Sequence, residues 1–159
     1  MTAIDVGTLL SRRELAVQSA QIVVGTAVDR MTQWSADGRN LYTLVTVAVE
    51  QTLKGDASES VIVALPGGID ANRRIPIAMT YPGGPQIGHG EEAVLFLTPA
   101  DDEVPGARAI TGFSQGKFVI ESGPPPDPSL RMQRAERTVR VGDSSVPLSA
   151  FLDEIRSYI

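Results

Sequence analysis

The sequence NLYTLVTVAVEQTLKG, residues 40–55, decides the fold. Along it, Thr43, Val45, Val47 and Val49 alternate with a second set of side chains. A period of two places successive side chains on opposite faces of a strand, so the segment is predicted to be a long, half-buried β-strand. Gly55 then allows the chain to turn away.

Three further strands are predicted around this one. Residues 21–31, QIVVGTAVDRM, precede it, and Asp37-Gly38 is typical of the turn of an antiparallel hairpin. Residues 60–65 form the third strand, and the apolar run at residues 91–98 is expected to be the most buried.

Within the first strand, Gly25 indicates a bulge or a tight bend. Four alternate residues of this strand are expected to share one face: Ile22, Val24, Thr26 and Val28.

The remaining β segments are weaker. Residues 73–80 contain Pro76, which cannot donate to a ladder, so they are expected to form an edge strand or an irregular arm. Residues 81–90 are a loop rich in glycine and proline. Residues 109–113 and 116–122 are predicted to form a last pair of strands. Val139 and Val141 are expected to form a short strand before the turn at residues 142–143.

A helix is predicted at each end of the chain. Ser11 is a good N-cap and Glu14 completes a capping box, which predicts a short helix over residues 12–19. The C-terminal residues 146–159 are predicted to be an amphipathic helix. Its apolar stripe consists of Leu148, Phe151, Leu152, Ile155, Tyr158 and Ile159.

These elements predict one domain spanning residues 1–159. The core, with the N-terminal helix, covers residues 10–122. A proline-rich and charged connection covers residues 123–145, and the C-terminal helix covers residues 146–159. Short strands separated by turns predict a mainly β, antiparallel fold, and the mid-strand glycine favours a small barrel over a sandwich.

Composition narrows the function classes. The net charge of −5 and the aromatic share of 5% argue against nucleic-acid binding. The chain has no cysteine, which excludes thiolate metal sites and cysteine nucleophiles. It has no apolar run of about 20 residues, so no membrane span is expected. No cofactor or metal ion is predicted.

The order of these segments resembles that of netrin-like (NTR) domains. The matching motifs are AQIVVGTAV at residues 20–28, the hairpin, residues 42–50, Leu53-Lys54-Gly55 and GEEAVLFL at residues 90–97. The resemblance covers roughly residues 18–120. The order of segments is also similar to that of bacterial, often exported, proteins with the same pattern. It implies an OB-like barrel like that of tissue inhibitors of metalloproteases. It also favours a location outside the cytoplasm, with a signal peptide removed. The cysteine through which those inhibitors act is missing, so no inhibitory residue carries over.

Three residues are candidates for a partner-binding surface. Trp34 lies near the predicted hairpin tip, where it either anchors a partner or folds back over the end of the barrel. Tyr81 and His89 lie in the loop at residues 81–90. The preferred hypothesis is a non-enzymatic module that binds a protein partner through these residues.

Two alternatives belong to other classes. One is a small hydrolase or metal-dependent enzyme that uses His89, the only histidine, with Glu91 or Glu92. The other is an oligonucleotide-binding protein that uses an OB-like face.

Overall fold

A computed structural model describes residues 9–72, 74–100, 104–122 and 137–159. The described chain contains a helix near each end and nine strands between them. In order they are α1 (Arg12–Gln18), β1 (Gln21–Trp34), β2 (Leu41–Lys54), β3 (Ser60–Pro66), β4 (Gly68–Asp70), β5 (Ile77–Met79), β6 (Glu92–Leu97), β7 (Lys117–Ser122), β8 (Arg137–Val141), β9 (Ser144–Pro147) and α2 (Leu148–Arg156).

Seven strands form one antiparallel sheet in the order β3-β2-β1-β6-β7-β8-β9, and β4 and β5 form a separate hairpin. The chain is therefore mainly β and antiparallel, as the sequence predicts. β3 and β9 stand at the two ends of the order, and no pairing between the described strands joins them into a closed barrel.

A short segment at residues 108–110 lies beside both β3 and β6. The Arg108 N–H donates to the Ile62 carbonyl (3.0 Å) and the Arg108 carbonyl accepts from the Ala64 N–H (2.8 Å), which forms a parallel bridge to β3. Ile110 forms an antiparallel bridge to Leu97 of β6. The expected pairing of residues 109–113 with residues 116–122 is therefore wrong. Residues 112–115 form a tight turn. The segment before this turn therefore pairs with β3 and β6, which precede it in the chain, and not with β7.

The sheet buries side chains on both faces. One, here called the inner face, carries valines and leucines of β1, β2, β3 and β6 together with Ile87 and Ile110. The opposite, outer face of β1, β6, β7 and β8 packs against α1 and α2. β6 is buried on both faces because it lies between these two clusters, which confirms it as the most buried strand.

Partway along β1, the set of alternate residues that points to a given face of the sheet changes. Its pairing with β2 shifts register at Val24/Gly25 and again between Ala27 and Asp29, which leaves Val28 as a bulge. The irregularity expected at Gly25, a bulge or a tight bend, is confirmed as a register shift. The expectation that Val28 shares a face with Ile22 and Val24 is wrong, because the bulge interrupts the alternation and leaves Val28 47% exposed.

Both helices form where predicted. Ser11 and Glu14 make the reciprocal bonds of a capping box at the start of α1. α2 covers residues 148–156, less than the predicted 146–159, because residues 144–147 pair with β8 as strand β9. The short strand predicted at Val139 and Val141 is confirmed as β8. The part of the predicted proline-rich connection at residues 123–136 lies outside the described residues.

Candidate functional site

A groove with a volume of about 630 Å³ lies against the far half of the β1–β2 hairpin. Five stretches line it: residues 30–32 of β1, Thr43 of β2, residues 65–69 around the turn into β4, residues 78–81 at the end of β5, and residues 84–86 of the following loop. It is an open groove between the sheet, the β4–β5 hairpin and this loop.

The turn at Gly67-Gly68 brings β4 against the sheet. Gly67 has φ +97° and a Cβ there would meet the Met79 carbonyl at 2.8 Å, while a Cβ on Gly68 would meet Thr43 at 2.8 Å and Thr32 at 2.9 Å. Both positions therefore require glycine. The Thr43 hydroxyl fixes the turn by donating to the Gly67 carbonyl (2.9 Å).

Among the residues that the structure describes, Arg30 is the only charged one that lines this groove. One terminal nitrogen of its guanidinium donates to the Ile87 carbonyl (2.6 Å). Among the described residues, no carboxylate forms an ion pair with Arg30. The groove therefore offers one cation whose charge no described acid neutralises.

The rest of the lining, as far as the structure describes it, is neutral. It consists of apolar side chains, among them Leu65 and Met79, and of polar groups such as Thr32 and Tyr81. Ile69 of β4 also lines the groove and is 61% exposed. A neutral, partly apolar lining around a single charge suits recognition of a mixed apolar and charged ligand.

Trp34 is half-buried at the end of β1. Its indole N–H donates to an Asp70 carboxylate oxygen of β4 (2.8 Å). The side chain thus ties the β4–β5 hairpin to the tip of the β1–β2 hairpin, and it does not itself line the groove.

Tyr81 is half-buried and lines the groove. Its hydroxyl donates to the Asn40 side-chain oxygen at 3.4 Å, a long contact to the same hairpin tip. Trp34 and Tyr81 therefore both lie at the tip of the β1–β2 hairpin. In the sequence, Trp34 precedes β4 and Tyr81 follows β5.

The tip itself is a compact turn. The Asp37 carboxylate accepts from the Ser35 hydroxyl (2.5 Å) and the Arg39 N–H (3.0 Å). These two hydrogen bonds hold the pKa of Asp37 below its ordinary value, and the bond from Ser35 is the larger cause.

His89 is exposed and does not line the groove. Its neighbours are fixed to β1, since the Gly90 N–H donates to the Ala27 carbonyl (2.8 Å) and the Glu91 carbonyl accepts from the Ala27 N–H (3.0 Å). Of the three predicted residues, the structure therefore places only Tyr81 in the groove lining, and His89 lies outside it.

The two glutamates of the enzymatic alternative have basic partners. Glu91 forms an ion pair with Lys117 (2.7 Å), and Glu92 forms one with Arg137 (3.2 Å). Arg137 also donates hydrogen bonds to Glu50. The Glu50 carboxylate is the main cause, and Glu92 a smaller one, of a pKa of Arg137 above its ordinary value. In residues 9–72, 74–100, 104–122 and 137–159, no group of three or more histidine, cysteine or acidic side chains could hold a metal ion.

The helices in the described part of the chain are too short and too polar to cross a bilayer. The chain matches no protein-family model, no curated protein and no solved structure. The resemblance to netrin-like domains therefore stays a prediction.

Sequence patterns missed most of the groove. Arg30 lies in an exposed stretch with no motif, and β4 is only three residues long. The one usable signal was the pair Gly67-Gly68, which marks a close approach of backbone to its surroundings. Only Tyr81 among the predicted site residues lines the groove.

Proposed function

We propose that this chain is an OB-like β-barrel of the netrin-like kind and that it acts by binding a protein partner, without catalysis. The bridges at Arg108 and Ile110 support the barrel, because the path β1–β2–β3–(108–110)–β6 returns to β1. That segment runs parallel to β3 and antiparallel to β6. Five segments in a closed path match the five-stranded, partly open barrel of the OB-fold.

The groove carries the proposal for function. It is open along its length, and Ile69 on its edge is exposed although isoleucine is ordinarily buried. An exposed apolar side chain beside a shaped, mostly neutral surface favours a protein segment as the occupant. In this proposal Trp34 and Tyr81 hold the groove wall in place, and Tyr81 also contacts the partner.

The enzymatic alternative has less support. Its histidine is exposed, and both of its glutamates are paired with a base, so neither is free to act as a proton acceptor for His89. The oligonucleotide alternative needs several stacking aromatics and a basic track. Within the described lining of the groove, Tyr81 is the only aromatic residue and Arg30 the only charged one.

A peptide selection tests the proposal. A library of random twelve-residue peptides displayed on phage is selected against the immobilised full chain, and the enriched peptides are then measured as free peptides. Ile69 is 61% exposed, and the substitution Ile69→Ser should weaken the binding of these peptides about tenfold. A loss of this size is that of a moderate hot spot.

The matched control is Val17→Ser on α1. Val17 is 62% exposed and lies outside the groove, so its replacement should leave affinity unchanged. Failure to enrich any peptide, or equal sensitivity to both substitutions, would contradict binding at this groove.

A further inference from the structure

We infer that the partner segment binds as an added β-strand along the free edge of β1, with an acidic side chain opposite Arg30. The inference rests on the proposed function and specifies the partner's chemistry and its mode of binding. It comes from the pairing of β1, the direction of its backbone groups and the charge of the groove.

The far half of β1 is paired on one side only. β6 pairs with β1 from Gln21 to Thr26, and the bonds of Ala27 to the loop before β6 end that side. β2 continues along the other side as far as Trp34. From Asp29 onward, no described strand pairs with β1 on the β6 side.

The register shows which backbone groups face this free edge. The Ser35 N–H donates to the Asn40 carbonyl (2.7 Å), so Ser35 and Asn40 form a hydrogen-bonded pair. Bonded and non-bonded pairs alternate along an antiparallel ladder. Met31 and Gln33 therefore bond to β2, whereas the N–H and C=O of Thr32 point away from it.

Two bonds agree with this alternation. On β2, the Leu41 carbonyl points away from β1 and accepts from the Gly67 N–H (2.8 Å). On β1, the Arg30 N–H does not donate to β2 and donates instead to the Asp29 carboxylate (2.8 Å). Asp29 thus blocks the edge at one end, a device that protects sheet edges from unwanted pairing. The open stretch begins at the Arg30 carbonyl and includes both backbone groups of Thr32.

The same residues line the groove. Residues 30–32 and residues 84–86 both line it, so a chain laid in the groove passes the residues of the free edge. An extended peptide there can add main-chain hydrogen bonds to Thr32, which is the mode of recognition known as strand addition.

The charge of the groove specifies the partner. Side chains opposite each other across two strands interact directly, and opposite charges stabilise the pair. Arg30 is the one charged residue in the described part of the groove lining and has no described acid partner, although the chain as a whole carries −5. A glutamate or aspartate opposite Arg30 fits this site. The residue two positions along the peptide faces the same way, towards Thr32 and Ile69, where an apolar side chain fits.

The peptides enriched on the full chain provide the probe. They should share an acidic residue and, two positions away, an apolar one. Thr32→Pro removes the edge-facing N–H without removing a bond to β2, and it should weaken binding about tenfold. The control is Ser60→Pro, at the exposed first residue of β3, which also removes an N–H facing away from β2 but lies outside the groove.

Two measurements keep the test valid if Thr32→Pro does not fold. In Arg30→Glu, acidic peptides should bind about tenfold more weakly, and peptides with lysine in place of the acid should recover affinity. In amide exchange on the unmodified chain, peptide should slow exchange at Thr32 and leave Met31 and Gln33 unchanged.

The outcomes separate the two proposals. Peptides that lose affinity with Ile69→Ser but bind equally well to Thr32→Pro and Arg30→Glu would overturn strand addition and leave groove binding in place. A peptide-free dimer that protects the Thr32 amide would overturn the choice of a foreign segment as occupant. Absence of any enriched peptide would overturn both proposals.

Discussion

The two halves of β1 differ in burial and in the number of strands that pair with them. In the first half, Gln21–Ala27, Val23 is fully buried and lies between β2 and β6. In the second half, Asp29–Trp34, Met31 is 59% exposed, and β2 is the only described strand that pairs with it. The same strand therefore stabilises the fold at one end and leaves an edge open at the other.

The bulge at Val28 marks the border between the halves. It reverses which alternate residues face inward, so Val23 and Ala27 face the inner cluster before it, and Arg30 and Thr32 face the groove after it. β6 also begins here, with Glu92 paired to Thr26. The first half is a core strand and the second is an open edge because strand pairing and side-chain facing change at the same point.

The largest expected difference comes from removing an aromatic side chain beside the first half. Phe96 of β6 is fully buried opposite Ile22. Phe96→Ala should lower the free energy of unfolding by about 3–5 kcal/mol, because it leaves a cavity in the cluster under the helices. Met31→Ala in the second half should change it by less than about 0.5 kcal/mol. Urea unfolding measures both, and similar losses would contradict the contrast.

Gly25 gives the next largest effect. A Cβ there would lie 2.6 Å from both the Ala48 carbonyl oxygen and Val47 Cγ1, so Gly25→Ala should destabilise the chain by about 1–3 kcal/mol. Gly88 has open space and no positive φ, and Gly88→Ala should be neutral or slightly stabilising. Thermal unfolding compares the two. A neutral Gly25→Ala would mean that β1 and β2 are not so closely opposed.

The first half of β1 and its surroundings could be predicted from sequence because their signals are local. Alternation in β2, the apolar run of β6 and the capping box at Ser11 each lie within a few residues. Each sets a local backbone preference that tertiary packing here reinforces.

The second half and its groove could not be predicted in this way. The groove joins Arg30 to residues about 35–55 positions later, and β4 is positioned by close approach to Thr32 and Thr43 rather than by its own pattern. Likewise, nothing local in residues 108–110 indicates that they bridge β3 and β6. Such contacts depend on packing between distant segments, which periodicity does not report.

A smaller effect concerns the helices that cover the outer face of the first half. The Arg12 guanidinium donates to the Glu154 carboxylate, with one bond of 3.0 Å, and joins α1 to α2. This bond, more than the charge itself, holds the pKa of Glu154 below its ordinary value of 4.5. A lower pKa in the folded state means that the pair's contribution is complete above the unfolded-state pKa. It is then lost as pH falls through the folded-state value.

Both side chains are about one-third exposed, so solvent screens the pair and its contribution should be no more than about 1 kcal/mol. Glu154→Gln should remove that amount at pH 7 and little at pH 3, measured as urea midpoints at the two values. Asp153→Asn is the control, because its ion pair with Arg156 is exposed and lies within one helix. An equal loss at both pH values would show that the effect of Glu154→Gln is not the ion pair.

The smallest effect leaves global stability untouched and tests the comparison residue by residue. In the first half of β1, neighbours on both sides should slow amide exchange at successive residues, since each N–H finds a partner in β2 or β6. In the second half, exchange should alternate. Met31 and Gln33, bonded to β2, should be protected, and Thr32, which faces the free edge, should exchange at nearly the rate of an unstructured chain. Hydrogen exchange followed by NMR resolves these three amides, and a Thr32 amide as slow as that of Met31 would mean that the edge is already occupied.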